Sequence, residues 1–166
     1  MVTFDTPLLI YGIQQKASSE NADLVTRTKE LIRRLGDKRA KIMVPAPALT
    51  EFLVGLPPPL RSPKILTDLF AVGSFDAQCA QIAAELQANV DRMKQIRQQY
   101  QIPKQCLKVD TMIIATAIAY NSGMIYTNDL GHFKDIAQNR IVIKEIPPLP
   151  DRTNLFADFE LNDPKN

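Results

Sequence analysis

KVDTMIIATAIAYNSGMIYTND, residues Lys108 to Asp129, is the stretch on which the fold turns. Between Asp110 and Asp129 nearly every residue is apolar or small. Val109, Met112, Ile113, Ile114, Ala115, Ala117, Ile118 and Ala119 leave no wide polar face, which predicts a helix buried on most sides. Asn121-Ser122-Gly123 ends that helix, and Met124-Ile125-Tyr126-Thr127 is short, apolar and β-prone. A buried helix feeding a buried strand, with a carboxylate opening one and closing the other, is half of a site.

Upstream, the same alternation recurs. Val2-Thr3-Phe4-Asp5 reads as a strand, with Thr6 as the cap and Pro7 in the first turn of the next helix. Ser18 or Ser19 caps a helix to about Gly36, with Leu24, Leu31, Ile32 and Leu35 inside and Arg27, Lys29, Arg33 and Arg34 outside. Lys41-Ile42-Met43-Val44 is a second strand, and Pro45 and Pro47 open a helix to about Gly55. Pro57-Pro58-Pro59 predicts an extended connection. Helices over 62–71 and 76–100 follow, the latter capped by Asp76, with Cys79, Ile82, Ala83, Leu86 and Val90 as its inner stripe. Beyond Asp129 come a short helix near Phe133–Ala137 and a strand at Ile141-Val142-Ile143. Strands alternating with helices argue for an α/β fold with a mostly parallel sheet flanked by helices.

The totals narrow the classes. A chain of 166 residues, 45% hydrophobic, suits one globular domain with a real core. A net charge of +2 permits a nucleic-acid partner without demanding one. Two cysteines, Cys79 and Cys106, make no disulfide framework, so a reduced, cytoplasmic protein is the simplest reading. No apolar run approaches the roughly 18 residues of a membrane-spanning helix. No basic leader precedes the first strand, which argues against a signal peptide. From Pro147 the tail carries Leu155, Phe156, Phe159 and Leu161 as isolated anchors, either docked or disordered.

In an open parallel sheet the functional crevice lies beyond the carboxyl ends of the strands. Asp5 ends the first strand, Glu51 lies a helical turn beyond the second, and Asp129 follows the Tyr126-Thr127 strand. Asp110 joins them if its helix starts at the same edge. Each has a plainer reading: Asp5 as a strand-end residue, Asp110 as an N-cap, Glu51 on a solvated face, Asp129 in a turn. Together they are harder to dismiss. Two unit charges about 4 Å apart repel by roughly 4 kcal/mol at an effective dielectric near 20. Such a cluster calls for protonation or a divalent cation, and ligands that are all oxygen suit Mg²⁺ or Mn²⁺ rather than zinc. The chemistry this fits best is metal-assisted hydrolysis of a phosphodiester. The charged residues between Arg92 and Lys108 are all basic (Arg92, Lys94, Arg97, Lys104 and Lys108), and they would suit RNA phosphates or simply a solvated face.

The motifs resemble those of the PIN domain family, and its VapC-type toxin branch in particular. The likeness is carried by Phe4-Asp5-Thr6 with Leu8-Leu9-Ile10-Tyr11, by Leu49-Thr50-Glu51-Phe52-Leu53, and more specifically by Val109-Asp110-Thr111 through Ala117 and by Tyr126-Thr127-Asn128-Asp129 followed by Phe133. It runs from Val2 to about Ile143. The resemblance implies a three-layer α/β/α nuclease domain over residues 1–146, followed by a tail over 147–166. It implies a Mg²⁺- or Mn²⁺-dependent endoribonuclease with Asp5, Glu51, Asp110 and Asp129 holding metal and Thr127 positioning an acid or a water. It also implies a homodimer and a cognate antitoxin whose segment enters the acidic groove.

Three features depart from the family pattern. Pro7 replaces a small polar residue, Gly131-His132 replaces an acid that would support a second metal, and the tail has no counterpart in compact toxin-type members. His132, the sole histidine, reads as a solvent-facing loop residue rather than a substrate contact. A catalytically inactive PIN-like binding or assembly module is the competing reading. A haloacid-dehalogenase-type phosphatase needs a second aspartate where Pro7 stands, and no glycine-rich phosphate loop is present.

Overall fold

A computed structural model describes residues 1–149 of the chain. The sheet has five short strands: β1 (Val2–Phe4), β2 (Ile42–Pro45), β3 (Ala71–Gly73), β4 (Met124–Tyr126) and β5 (Val142–Lys144). They run β3-β2-β1-β4-β5, every pairing parallel. Helices cover both faces, giving the three-layer α/β/α arrangement. Phe4, Met43, Val44 and Ile125 are buried in the sheet. Against them pack Ile113, Ile114, Ala115 and Ala117 of α7 (Lys104–Ala119) and Phe133 and Ile136 of α8 (Leu130–Ala137).

The strand order decides where a site can form. From β1 the chain steps outward through β2 to β3, then crosses back and steps outward the other way through β4 to β5. The order reverses between β1 and β4, and at such a point the connections part and open a crevice beyond the strand ends. Asp5 follows β1 directly, its amide donating to the Tyr126 carbonyl of β4 at 3.1 Å.

Local chemistry moves several expected boundaries. Asp5, not Thr6, caps α1 (Thr6–Leu9), because its carboxylate accepts from the Thr6 amide. That helix runs on as a π-turn (Ile10–Gln14), which ends where Gln15 takes a left-handed conformation. Ser19–Asn21 forms a 3₁₀ turn ahead of α2 (Ala22–Asp37). Arg27, expected on the outer face of α2, is half-buried: its guanidinium donates to the carbonyls of Ile146 and Pro147, at 3.1 Å for the latter. The start of the tail is thereby fastened to the body, whereas the expected docking or disorder from Pro150 onward lies outside the described residues.

Helix α3 (Ala46–Val54) forms as expected, but Pro58–Leu60 makes a 3₁₀ turn rather than an extended link. The helix expected over 62–71 shrinks to α4 (Lys64–Thr67), and Ala71-Val72-Gly73 joins the sheet as its edge strand, in register with Met43–Pro45. A short apolar run is ambiguous between helix and strand, and here the unpaired edge of β2 decides. The long helix expected over 76–100 is two. Asp76 caps α5 (Ala77–Gln87), and Asn89 caps α6 (Val90–Gln99) by accepting from the Arg92 amide at 3.0 Å. The break turns Val90 out of the expected inner stripe, and it is 62% exposed.

The helix of the Lys108–Asp129 stretch begins earlier than its apolar run, at Lys104 after Pro103. Asp110 therefore stands about 9 Å along the axis, beyond the first turn, and is neither an N-cap nor a beneficiary of the helix dipole. The helix stops within the expected Asn121-Ser122-Gly123 segment, where Asn121, at φ 53°, takes the left-handed conformation.

Candidate active site

Asp5 is the buried centre of the crevice, 3% exposed. Its Oδ1 accepts from the Thr6 amide at 2.7 Å and its Oδ2 from the Thr127 hydroxyl at 2.7 Å. Thr127, just past β4 and fully buried, accepts in turn from the Asp129 amide at 2.9 Å. One hydroxyl thus ties the first acid to the turn that carries the last. Asp129 precedes α8, yet its side chain caps nothing, so the plain turn or cap reading leaves its carboxylate unexplained. Thr6 plays a matching part toward α3, its hydroxyl donating to Glu51 Oε2 at 2.6 Å. Glu51 is otherwise exposed.

Asp110 reaches the same edge from α7, where it is largely buried. The charges of Asp110 and Asp129 both act on Asp5. Burial pushes the Asp5 carboxyl up to about 7, opposed by the Thr127 hydrogen bond and assisted by those two neighbours. Asp110 is also raised, by burial first, against the hydrogen bond and charge of His132. Tyr11, on the π-turn after α1, lies within reach of Asp129 as well: burial and that charge raise its hydroxyl. Asp5, Asp110 and Asp129 therefore lie near enough to act on one another by charge, and Glu51 is joined to Asp5 through Thr6.

His132 is the residue the sequence misplaced. It sits in the first turn of α8, 12% exposed, with Nε2 3.0 Å from Asp110 Oδ2. Burial draws the imidazole pKa down, but the hydrogen bond to Asp110 and the charges of Asp110, Asp129 and Asp5 outweigh it, and the net shift is upward. The available signal was its spacing: three residues after Asp129 is one helical turn, which returns to the same end of α8.

Four of the five expected RNA-contacting cations line one groove of about 350 Å³. Lys94 and Arg97 come from α6 and Lys104 and Lys108 from α7, over Val90, Met93 and Leu107. Arg92 does not line it. Lys94 is 3.5 Å from Asp91. On α7, Lys108 lies about 160° and Lys104 about 120° around the helix from Asp110, so the groove's cations on α7 point away from the carboxylate, although Leu107 at its floor is only about 60° from it.

The donor set is all oxygen, and the buried Asp5 would be stabilised in its charged form by a cation, so the chemistry fits Mg²⁺ or Mn²⁺. The spacing is open. Among the described residues no group of three or more His, Cys, Asp or Glu side chains is gathered closely enough to hold an ion. Nor is any described helix long and apolar enough to cross a membrane.

Solved structures share this fold, two VapBC assemblies among them. VapBC2 from Rickettsia felis, bound to a DNA fragment from its promoter, superposes with a TM-score of 0.60 at 19% identity, covering 87% of this chain and 98% of the other. DNA-bound VapBC from Salmonella typhimurium gives 0.60 and 19%, covering 88% and 98%. No curated protein sequence matches. The PIN domain model matches residues 2–139, a span that contains Asp5, Glu51, Asp110, Thr127 and Asp129. A sheet that reverses order beside Asp5, and a motif match over most of the chain, lead to one assignment: the chain belongs to the PIN domain family, whose members are generally nucleases.

Proposed function

We propose that the chain is a metal-dependent endoribonuclease that hydrolyses RNA phosphodiester bonds, and that it is the toxin of a type II toxin–antitoxin pair. The observation that carries the reading is Asp5. A buried carboxyl held up to about 7, with Asp110 and Asp129 close enough to add to the shift, is an arrangement that a stability requirement alone does not favour. Asp5, Asp110 and Asp129 would hold the cation, with Glu51 alongside. A bound Mg²⁺ or Mn²⁺ supplies neutralisation of the phosphate charge and acidification of water. Hydrolysis then adds water across one P–O bond, leaving a phosphate on one fragment and a hydroxyl on the other. The chain's own groups orient the acids: Thr127 fixes Asp5 Oδ2 and Thr6 fixes Glu51 Oε2. Lys94, Arg97, Lys104 and Lys108 take up phosphates away from the cut bond.

The toxin context rests on the likeness of the motifs to VapC-type proteins and on the fold shared with two VapBC assemblies. From it follow a cognate antitoxin, a homodimer and a cytoplasmic location. The test is cleavage of unstructured RNA with Mn²⁺ or Mg²⁺ by the wild type and by D110N. Cleavage by the wild type and a loss of at least about 100-fold in the variant are expected, the scale of a removed electrostatic group in an active site. Equal cleavage by both would point to a contaminant or another site.

The open spacing of the carboxylates favours a second reading, a PIN-fold binding module without catalysis. The two part on metal binding. A cation held only by the folded protein raises its melting temperature, and no shift at millimolar Mn²⁺ would favour the module.

A further inference from the structure

We infer that His132 is a positioning residue for Asp110, and that Tyr100 holds it in that role. The inference rests on the cation-binding reading above and adds to it a residue outside the carboxylate set. His132 Nε2 takes one oxygen of Asp110, Oδ2, at 3.0 Å. An ionised carboxylate only accepts, so Nε2 carries the proton, and Oδ1 is left for the cation.

The imidazole is itself constrained. Its ring lies 5.8 Å from that of Tyr100 and 5.2 Å from that of Phe133, centroid to centroid. The Tyr100 hydroxyl donates to Asp135 Oδ2 at 2.9 Å, anchoring the far end of that ring to α8. Gly131 makes the approach possible, since a Cβ there would fall 2.6 Å from Tyr100 Cε1. His132 of α8, backed by Tyr100 from the end of α6, thus meets one carboxylate oxygen of Asp110 on α7. Packing alone would accept any aromatic ring between Tyr100 and Phe133, and it does not require a nitrogen directed at Oδ2. Partners of this kind fix the orientation of a metal ligand, and losing one typically weakens metal affinity or activity by about 10–100-fold.

H132F and H132Q separate the two roles. Phenylalanine keeps a ring in place without the hydrogen bond, whereas glutamine keeps a donor near Nε2 without the ring. Mn²⁺ affinity of the RNA-free protein is measured by titration calorimetry, and melting temperature without added metal reports on folding. Expected are Mn²⁺ binding about 10–100-fold weaker in H132F and recovery of most of that loss in H132Q, with H132F melting close to wild type. If H132F does not fold, H132A takes its place in the same comparison. Wild-type affinity in the ring-preserving or alanine variant would overturn the inference, as would an H132Q variant no better than it. A wild type that binds no Mn²⁺ at millimolar concentration is a different failure, because it removes the cation site itself and the positioning role with it.

Discussion

Ionising Asp5 places a charge on a side chain that is 3% exposed and already faces two other acids. Folded, it holds its proton to about pH 7, against an ordinary value of 3.8. Between those values the folded state binds the proton that the unfolded chain has released. Its contribution to stability is therefore full below the lower value and is lost as the pH rises through about 7. The loss amounts to roughly 4 kcal/mol. D5N stays neutral throughout, so it should melt above the wild type at pH 8 by a margin that closes on acidification. A constant margin across that range would sink the account. With Asp5 among the ligands of the proposed cation, protons and the cation would compete for it, so the Mn²⁺-induced rise in wild-type melting temperature should be larger at pH 8 than at pH 6 and nearly absent in D5N. At this scale the sequence exposed acids that close strands or open recognisable motifs, and Thr127 as a hydroxyl that positions one of them, but not the partner of Asp110. Nothing local to His132 announces Asp110, twenty-two residues away on another helix; a contact made across the fold leaves only the faint trace of a helical turn counted from Asp129.

Helix α6 shows how an element boundary can matter to the site. Periodicity alone ran α5 and α6 together, because both are helical and Ala88-Asn89 holds neither glycine nor proline. The signal was a capping residue, Asn89, set within a helical pattern. The break redirects α6 so that its end brings Tyr100 against Gly131 and His132. Replacing the cap, N89A, should cost about 1 kcal/mol of unfolding free energy in urea; no change would mean that the break is held by packing instead. Strand β3 was illegible for a different reason. Its three residues have no pattern of their own and become a strand only because β2 offers an unpaired edge. The Lys108–Asp129 stretch, by contrast, was legible as a helix and a strand because both are buried on most sides. What the apolar run concealed was where the helix begins, since the polar turn from Lys104 carries no hydrophobic signature.

At the scale of the whole molecule, alternating strands and helices dictate a parallel sheet but not the order of its strands, and it is the order that puts the crevice between β1 and β4. By helical phase the groove's cations on α7, Lys104 and Lys108, point away from the side that carries Asp110. An RNA that uses both sides must pass around that helix, so the groove should matter to long strands and not to very short ones. Each phosphate contact releases counterions, and for a single strand the logarithm of affinity falls with the logarithm of salt at a slope of about −0.7 per contact. K104Q combined with K108Q removes two exposed cations from the groove without touching an acid. The double variant should bind a long unstructured RNA more weakly, by a similar factor whatever its sequence, and its salt slope should be shallower by about 1.4. Hydrolysis of a dinucleotide substrate should be unchanged, because it lies wholly at the carboxylate edge. An unaltered slope with long RNA would mean that the groove carries no phosphate. A shallower slope accompanied by loss of dinucleotide cleavage would mean instead that the cations belong to the same side of α7 as Asp110, against the helical phase that separates them.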